Sequence, residues 1–178
     1  MSHRAIINGK DHEQSTDIST LLDSNLTDHR FGKGVKEYYT RFRIKRNRYK
    51  IFKHHGLKKY MQLSGHYQSG YRDIHPDEAI LNETEKTIIV VEKKYQETSG
   101  STDEKIGLGE IKRFNLCMMY PGWRIVYVYL LNSWFDGPKY DLEREYYRYN
   151  DHVHLLFDYQ PDLGLKIKEL LLENGIRY

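Results

Sequence analysis

With one cysteine in 178 residues, Cys117 has no partner within the chain. An internal disulfide framework and any cysteine-rich zinc site are excluded, and the neighbours "NLCMMY" mark this thiol as a small buried filler rather than a nucleophile. Long apolar runs are missing too. None approaches the roughly 20 residues that cross a bilayer, and Met1–Thr20 has no signal-peptide core. The expectation is a soluble, intracellular (cytoplasmic) protein with no membrane role. Internal repeats and low-complexity stretches are also absent. A hydrophobic content of 39% over this length suits one domain spanning 1–178, with residues 1–28 as a loose arm or a short helix around Leu21.

Acidic residues are scarce in one place. Lys36–Lys59 reads "KEYYTRFRIKRNRYKIFKHHGLKK", ten Lys and Arg against the single acid Glu37, whereas the whole chain carries only +3. Val35, Tyr38, Phe42, Tyr49 and Phe52 follow a helical stripe broken near Lys45. The segment therefore reads as an amphipathic helix with aromatics inward and basic groups outward. Such a surface suits a phosphate backbone, with Arg43, Arg46 and Lys50 as DNA-binding residues. A solvated basic face is the plainer alternative. Tyrosines and two histidines make a poor lipid-facing stripe.

Further along, "YMQLSGHYQSGYRD" is punctuated by Gly65 and Gly70 and reads as a short strand and a loop. Two strands, "DEAIL" and "TIIVVEKKYQ", follow. Next comes a helix, "EKIGLGEIKRFNLCMMY", with Leu108, Ile111, Phe114 and Met118 on one side. Arg124–Leu131, "RIVYVYLL", is apolar on both alternating faces, as in a strand covered on both sides. Beyond the irregular Asn132–Asp151 lie a short apolar run, "HLLFDY", and a last helix from about Pro161 to Asn174. The expected fold is α/β (α+β), a mixed β-sheet flanked by helices.

A turn in "NETEK" centred between Thr84 and Glu85 places Asp77 opposite Glu92 on antiparallel strands. Alternation then sends Asp77, Glu92, Lys94 and Gln96 to one face, and Ile89 and Val91 to the other. Two carboxylates so close repel unless a cation joins them, and oxygen ligands select a hard one such as magnesium. Lys94 is placed to hold or help deprotonate an attacking water. The plainer reading makes these strand-end charges a solvated cap, with Asp77 and Lys94 as a weak ion pair.

Pro76-Asp77 followed by Glu92-Lys93-Lys94, between a preceding basic segment and a following helix and apolar strand, resembles the PD-(D/E)xK nuclease superfamily. It looks most like a small type II restriction endonuclease. The resemblance runs from the basic segment to Arg124–Leu131, and implies a restriction-endonuclease-like core in a prokaryotic or viral-type protein. It makes Asp77 and Glu92 metal ligands and Lys94 the catalytic lysine, with the Lys93 carbonyl completing the coordination of Mg2+, for which Mn2+ substitutes. It implies a sequence-specific endonuclease that cuts double-stranded DNA to leave 5′-phosphates. Cutting both strands needs two sites, hence a homodimer on palindromic DNA. The alternatives are a repair or Holliday-junction-resolving nuclease of the same fold, and a DNA-binding protein without catalysis.

Further residues carry weaker expectations. Ser101 and Glu104 form a capping box that would start the following helix, while the resemblance implies that Ser101 or Lys105 touches DNA phosphate. Glu37 and Gln96 are candidate supports for the metal site; each has an ordinary reading as a surface or strand polar residue. "DHVH", Asp151–His154, lacks a third ligand at convincing spacing for zinc. The tyrosines of "EYYRYND" read as packing residues, in a region whose position suits target recognition.

Overall fold

The computed structural model describes residues 16–22, 27–30, 38–44, 46–98 and 103–173. Seven strands form one mixed sheet in sequence order. They are β1 (Thr27–Arg30), β2 (Tyr38–Ile44), β3 (Asn47–Lys53), β4 (Glu78–Asn82), β5 (Thr87–Lys94), β6 (Arg124–Leu131) and β7 (Val153–Phe157). Strands β1 to β5 run as an antiparallel meander; β5, β6 and β7 are parallel. Parallel strands need long crossovers. The β5–β6 crossover carries a 3₁₀ turn (Asp103–Leu108) and a helix, Gly109–Met119. The β6–β7 crossover carries two short 3₁₀ turns and the helix Asp141–Arg148.

Helices α1 (Ile18–Leu21), α2 (Gly56–Leu63), α3 (Gly109–Met119), α4 (Asp141–Arg148) and α5 (Leu163–Glu173) divide between the two faces. On one, Leu57 and Met61 of α2 and Leu116 and Met119 of α3 join Leu81, Ile88, Val90 and Tyr127. On the other, α1 and α5 bring Ile18, Leu163, Ile167 and Leu171 against Ile80, Ile89, Val91, Val126 and Val128. The mixed sheet with flanking helices is the architecture expected from the sequence. Thr87–Val91 is buried at every position, as is Ile125–Leu131. Each large apolar side chain among them contributes roughly 1.5–3 kcal/mol by leaving water, so β5 and β6, with the fully buried β4, form a firmly packed platform. The charged end of β5 projects from that platform.

The basic segment is not a helix. It forms the β2–β3 hairpin, with Ile44 paired to Asn47 where the chain reverses, and then α2. Phe42 and Tyr49, which helical spacing put on one stripe, are cross-strand partners with rings stacked 4.9 Å apart. Phe52 points to the opposite face and packs beside Tyr39. β-branched and aromatic residues at alternate positions favour the pleated surface over the helix that Lys and Arg alone would favour. The break near Lys45 was the mark of the hairpin.

"YMQLSGHYQSGYRD" has no strand. Its first four residues finish α2, whose Leu57 and Met61 are one turn apart on the buried side. Gly65 (φ 74°) then closes the helix, and His66 donates its N–H to the Met61 carbonyl at 2.8 Å. Leu108, just before α3, and Ile111, Phe114 and Met118 within it occupy the outer side, with Ile111 and Phe114 66% and 63% exposed. The inward stripe is Gly109, Leu116 and Met119. Gly109 permits this packing, since a Cβ there would stand 2.9 Å from Tyr129 Cε2 and 3.1 Å from Val153 Cγ1. Gly109→Ala is therefore expected to cost about 1–3 kcal/mol through overpacking, read as a drop in Tm of several degrees. An unchanged Tm would show that α3 is free to move away from the sheet.

Candidate active site

Pro76 has no N–H to give to a ladder, and β4 begins two residues later. The register of β4 and β5, Glu78 with Val91 and Asn82 with Thr87, is the one expected from a turn between Thr84 and Glu85. Asp77 stands one residue before that ladder, level with Glu92. Its side chain takes over a ladder position, with Oδ2 accepting the Lys93 N–H at 2.7 Å, while its carbonyl accepts the His54 N–H at 3.2 Å. The carboxylate is thus held from both sides.

Glu92 is 12% exposed. Its Oε1 receives Lys94 Nζ at 2.7 Å and Lys112 Nζ, from α3, at 3.1 Å. Lys94 Nζ also donates to the Lys93 carbonyl at 3.0 Å. Lys93 sends its side chain to the opposite face of the sheet, where it meets Glu78, Nζ to Oε2 at 2.8 Å. That pair is buried, with Lys93 7% and Glu78 2% exposed, and Glu78 Oε2 also accepts the Ile18 N–H of α1. Alternation separates the four charges: Glu92 and Lys94 lie on the α3 side, Glu78 and Lys93 on the α5 side.

The two acids of the α3 side are pushed in opposite directions. Burial and then the Glu92 charge raise the Asp77 carboxyl above its ordinary range, against the Lys93 N–H and the two lysines. Burial also works against Glu92, but Lys94 and then Lys112 overcome it and hold that carboxyl below its ordinary value. Behind them, burial and the Glu92 charge push the Tyr127 hydroxyl far up. That hydroxyl is buried beside the Glu92 carboxylate and the Tyr129 ring, with no hydrogen bond of ordinary geometry to the described residues.

These groups fit a hard divalent cation. Asp77 and Glu92 offer carboxylate oxygens, the Lys93 carbonyl faces the same side, and the buried Tyr127 hydroxyl lies beside Glu92. Among the described residues no cluster of three or more His, Cys, Asp and Glu could hold a metal, so a carbonyl and solvent would have to complete the coordination.

Gln96 is buried: its N–H and carbonyl pair with the Asn132 side chain, its Nε2 donates to the Thr98 carbonyl, and its Oε1 has no hydrogen-bond partner among the described residues. Glu37 and Ser101 lie outside the described residues. Lys105 enters only as part of the Asp103–Leu108 turn. Arg43, Arg46 and Arg48 are exposed around the tip of the β2–β3 hairpin, with Arg41 exposed behind them. Lys50 is not available in the same way. Its Nζ contacts the Tyr60 hydroxyl and Glu83 Oε2, the latter at 2.6 Å, and lies 4.4 Å from the centre of the Tyr60 ring.

Two charged residues of this region escaped sequence reasoning. Glu78 hid behind its neighbour Asp77. Lys112 belongs to the inward stripe of α3, between buried Gly109 and Leu116, and a lysine at such a position is the signal that was there to read. Tyr147 packs inward as expected, its hydroxyl on the Ile106 carbonyl at 2.7 Å, whereas Tyr146 and Tyr149 are exposed. Burial raises the Cys117 thiol above its ordinary value, in keeping with a filler. No helix among the described residues is long and apolar enough to cross a membrane.

No protein-family model matches the chain, and no curated protein matches it. Among solved structures, MunI restriction endonuclease in complex with cognate DNA is similar at a TM-score of 0.39 and 14% identity, over 63% of this chain and 68% of that one.

Proposed function

We propose that this protein is a magnesium-dependent endonuclease that hydrolyses phosphodiester bonds of double-stranded DNA and leaves 5′-phosphates, acting as a homodimer of restriction type. One observation carries the reading. Asp77, Glu92, Lys94 and the Lys93 carbonyl converge on one side of the β4–β5 end, while the Lys93 side chain goes to the other. A strand-end cap in solvent would leave these groups wet, yet Asp77 and Glu92 are largely buried.

Magnesium, or manganese in its place, would be held by Asp77, Glu92 and the Lys93 carbonyl, and when bound supplies positive charge for the phosphate and the departing oxygen. Lys94, on the face of Glu92, orients the attacking water and takes part in its deprotonation. Burial around Tyr127 and Tyr129 excludes bulk water and strengthens each of these interactions.

The hairpin tip supplies sequence-independent grip. By the β3–β4 register, Arg48 lies six residues along the strand from the level of Asp77, roughly 20 Å at about 3.3 Å per residue. That is about six base-pair steps along a duplex. Neutralising Arg41, Arg43, Arg46 and Arg48 together is expected to weaken binding to every sequence. It should also flatten the dependence on salt by roughly one unit of slope per lost phosphate contact. An unchanged slope in a fluorescence-anisotropy salt titration would remove the hairpin from the interface. Lys50 is left out of that set because its charge is already matched by Glu83.

The competing reading within the same chemistry is a junction-resolving nuclease. Incubation with magnesium on a linear duplex and on a four-way junction separates the two. Discrete duplex fragments with ligatable 5′-phosphates are expected; products from the junction alone would assign resolution instead. DNA binding without any cleavage would leave the non-catalytic alternative.

A further inference from the structure

Lys112 and Lys94 both donate to Glu92 Oε1, so this oxygen is doubly occupied by ammonium groups. Their circumstances differ. Lys94 has a second acceptor in the Lys93 carbonyl, on its own strand. The Lys112 head has Glu92 and the face of the Tyr129 ring, 6.0 Å from its centre, and its side chain is 23% exposed. The backbone beneath it is fixed, because Gly109, three residues earlier, sits against Tyr129, Tyr147 and Val153. Its neighbour Arg113 is paired with Glu110, 2.8 Å away. Lys112 is thus a long, rotatable side chain on a packed stem, beside the acid that the proposed activity requires for a cation.

We propose that Lys112 is a phosphate-binding side chain of this site: it is stored on Glu92 in the metal-free protein and released to an oxygen of the phosphodiester when Glu92 turns to a divalent cation. The inference rests on the reading of Asp77 and Glu92 as cation ligands. A divalent ion on either oxygen of Glu92 repels both ammonium groups held at Oε1, and the one without a carbonyl partner leaves more easily. A four-carbon stem lets the head move several ångströms without moving α3. The nearest anion it can then meet is the one brought in by the substrate.

Two binding measurements test this without cleavage. The first is Mn2+ affinity of the protein alone, followed by electron paramagnetic resonance. Lys112→Met removes the competitor and should tighten Mn2+ binding by about fivefold or more. Unchanged or weaker binding would mean that Lys112 only supports Glu92, and would overturn the proposal. The second is duplex affinity with EDTA and with Ca2+. Wild type and Lys112→Met should bind alike in EDTA, and the variant should lack about a tenfold part of the gain brought by Ca2+. An equal loss in both conditions, or no loss in either, would also overturn it. Lys112→Gln keeps a donor without the charge and should repeat both patterns; it serves if the Met variant does not fold. Absence of Mn2+ binding by wild type would instead remove the cation-site reading, and this inference with it.

Discussion

Asp77→Asn is expected to lower single-turnover cleavage by about 1000-fold or more while raising the Tm of the metal-free protein. The two effects come from one cause. Asn keeps an oxygen for the Lys93 N–H but removes a charge that burial and Glu92 make unfavourable. The carboxyl is held above its ordinary 3.8, so the native state retains its proton longer than the unfolded chain does. Stability of the metal-free wild type therefore falls as pH rises from 3.8 toward the raised native value, and stays lowered above it. The Tm advantage of Asp77→Asn should be present at pH 7 and vanish below about pH 3.8. Magnesium should raise the Tm of wild type and leave the variant unmoved. If Asp77 only capped a strand end, its replacement would spare cleavage and magnesium would leave the Tm of wild type unmoved.

Lys94→Met is the second substitution with a large expected effect: about 100- to 10,000-fold loss of single-turnover rate with little loss of DNA affinity, as for a group that acts in the transition state. The natural control is the lysine beside it, whose side chain lies across the sheet. Lys93→Ala is a poor form of that control. It leaves Glu78 buried without its cation, an expected cost of about 3–5 kcal/mol that would lower activity by unfolding. The combined Lys93→Met and Glu78→Gln variant removes both charges and should fold, with cleavage close to wild type per folded molecule. Loss of cleavage in this pair, with retention in Lys94→Met, would reverse the assignment of the two faces.

The register that sets Asp77 level with Glu92 was legible because an antiparallel hairpin has few degrees of freedom: once the turn is placed, alternation decides every side chain. The same regularity made the fates of Lys93 and Lys94 readable. The basic segment was misread because Phe42 and Tyr49 fit a helical stripe nearly as well as a cross-strand pair, and Arg and Lys favour helices in isolation. Strand pairing with β4 overrode that preference. Lys112 was out of reach for a different reason. Its approach to Glu92 depends on a crossover that returns α3 over β5 and β6, and on how closely Gly109 lets it settle; the apolar stripe of Leu108, Ile111, Phe114 and Met118 pointed to the other side of the helix, and these residues lie outward. Lys50 carried the charge of a DNA contact, and only the fold revealed Tyr60 and Glu83 beside it.

The most direct measurement is a digest of a sequenced plasmid by wild type and Asp77→Asn, each with magnesium and with EDTA. Discrete fragments with 5′-phosphate ends are expected from wild type with magnesium alone, and uncut plasmid in the other three reactions. Cleavage that persists in EDTA or in Asp77→Asn, or no cleavage of any duplex by folded wild type with magnesium, would contradict the assignment of Asp77, Glu92 and Lys94 as a metal-dependent nuclease site.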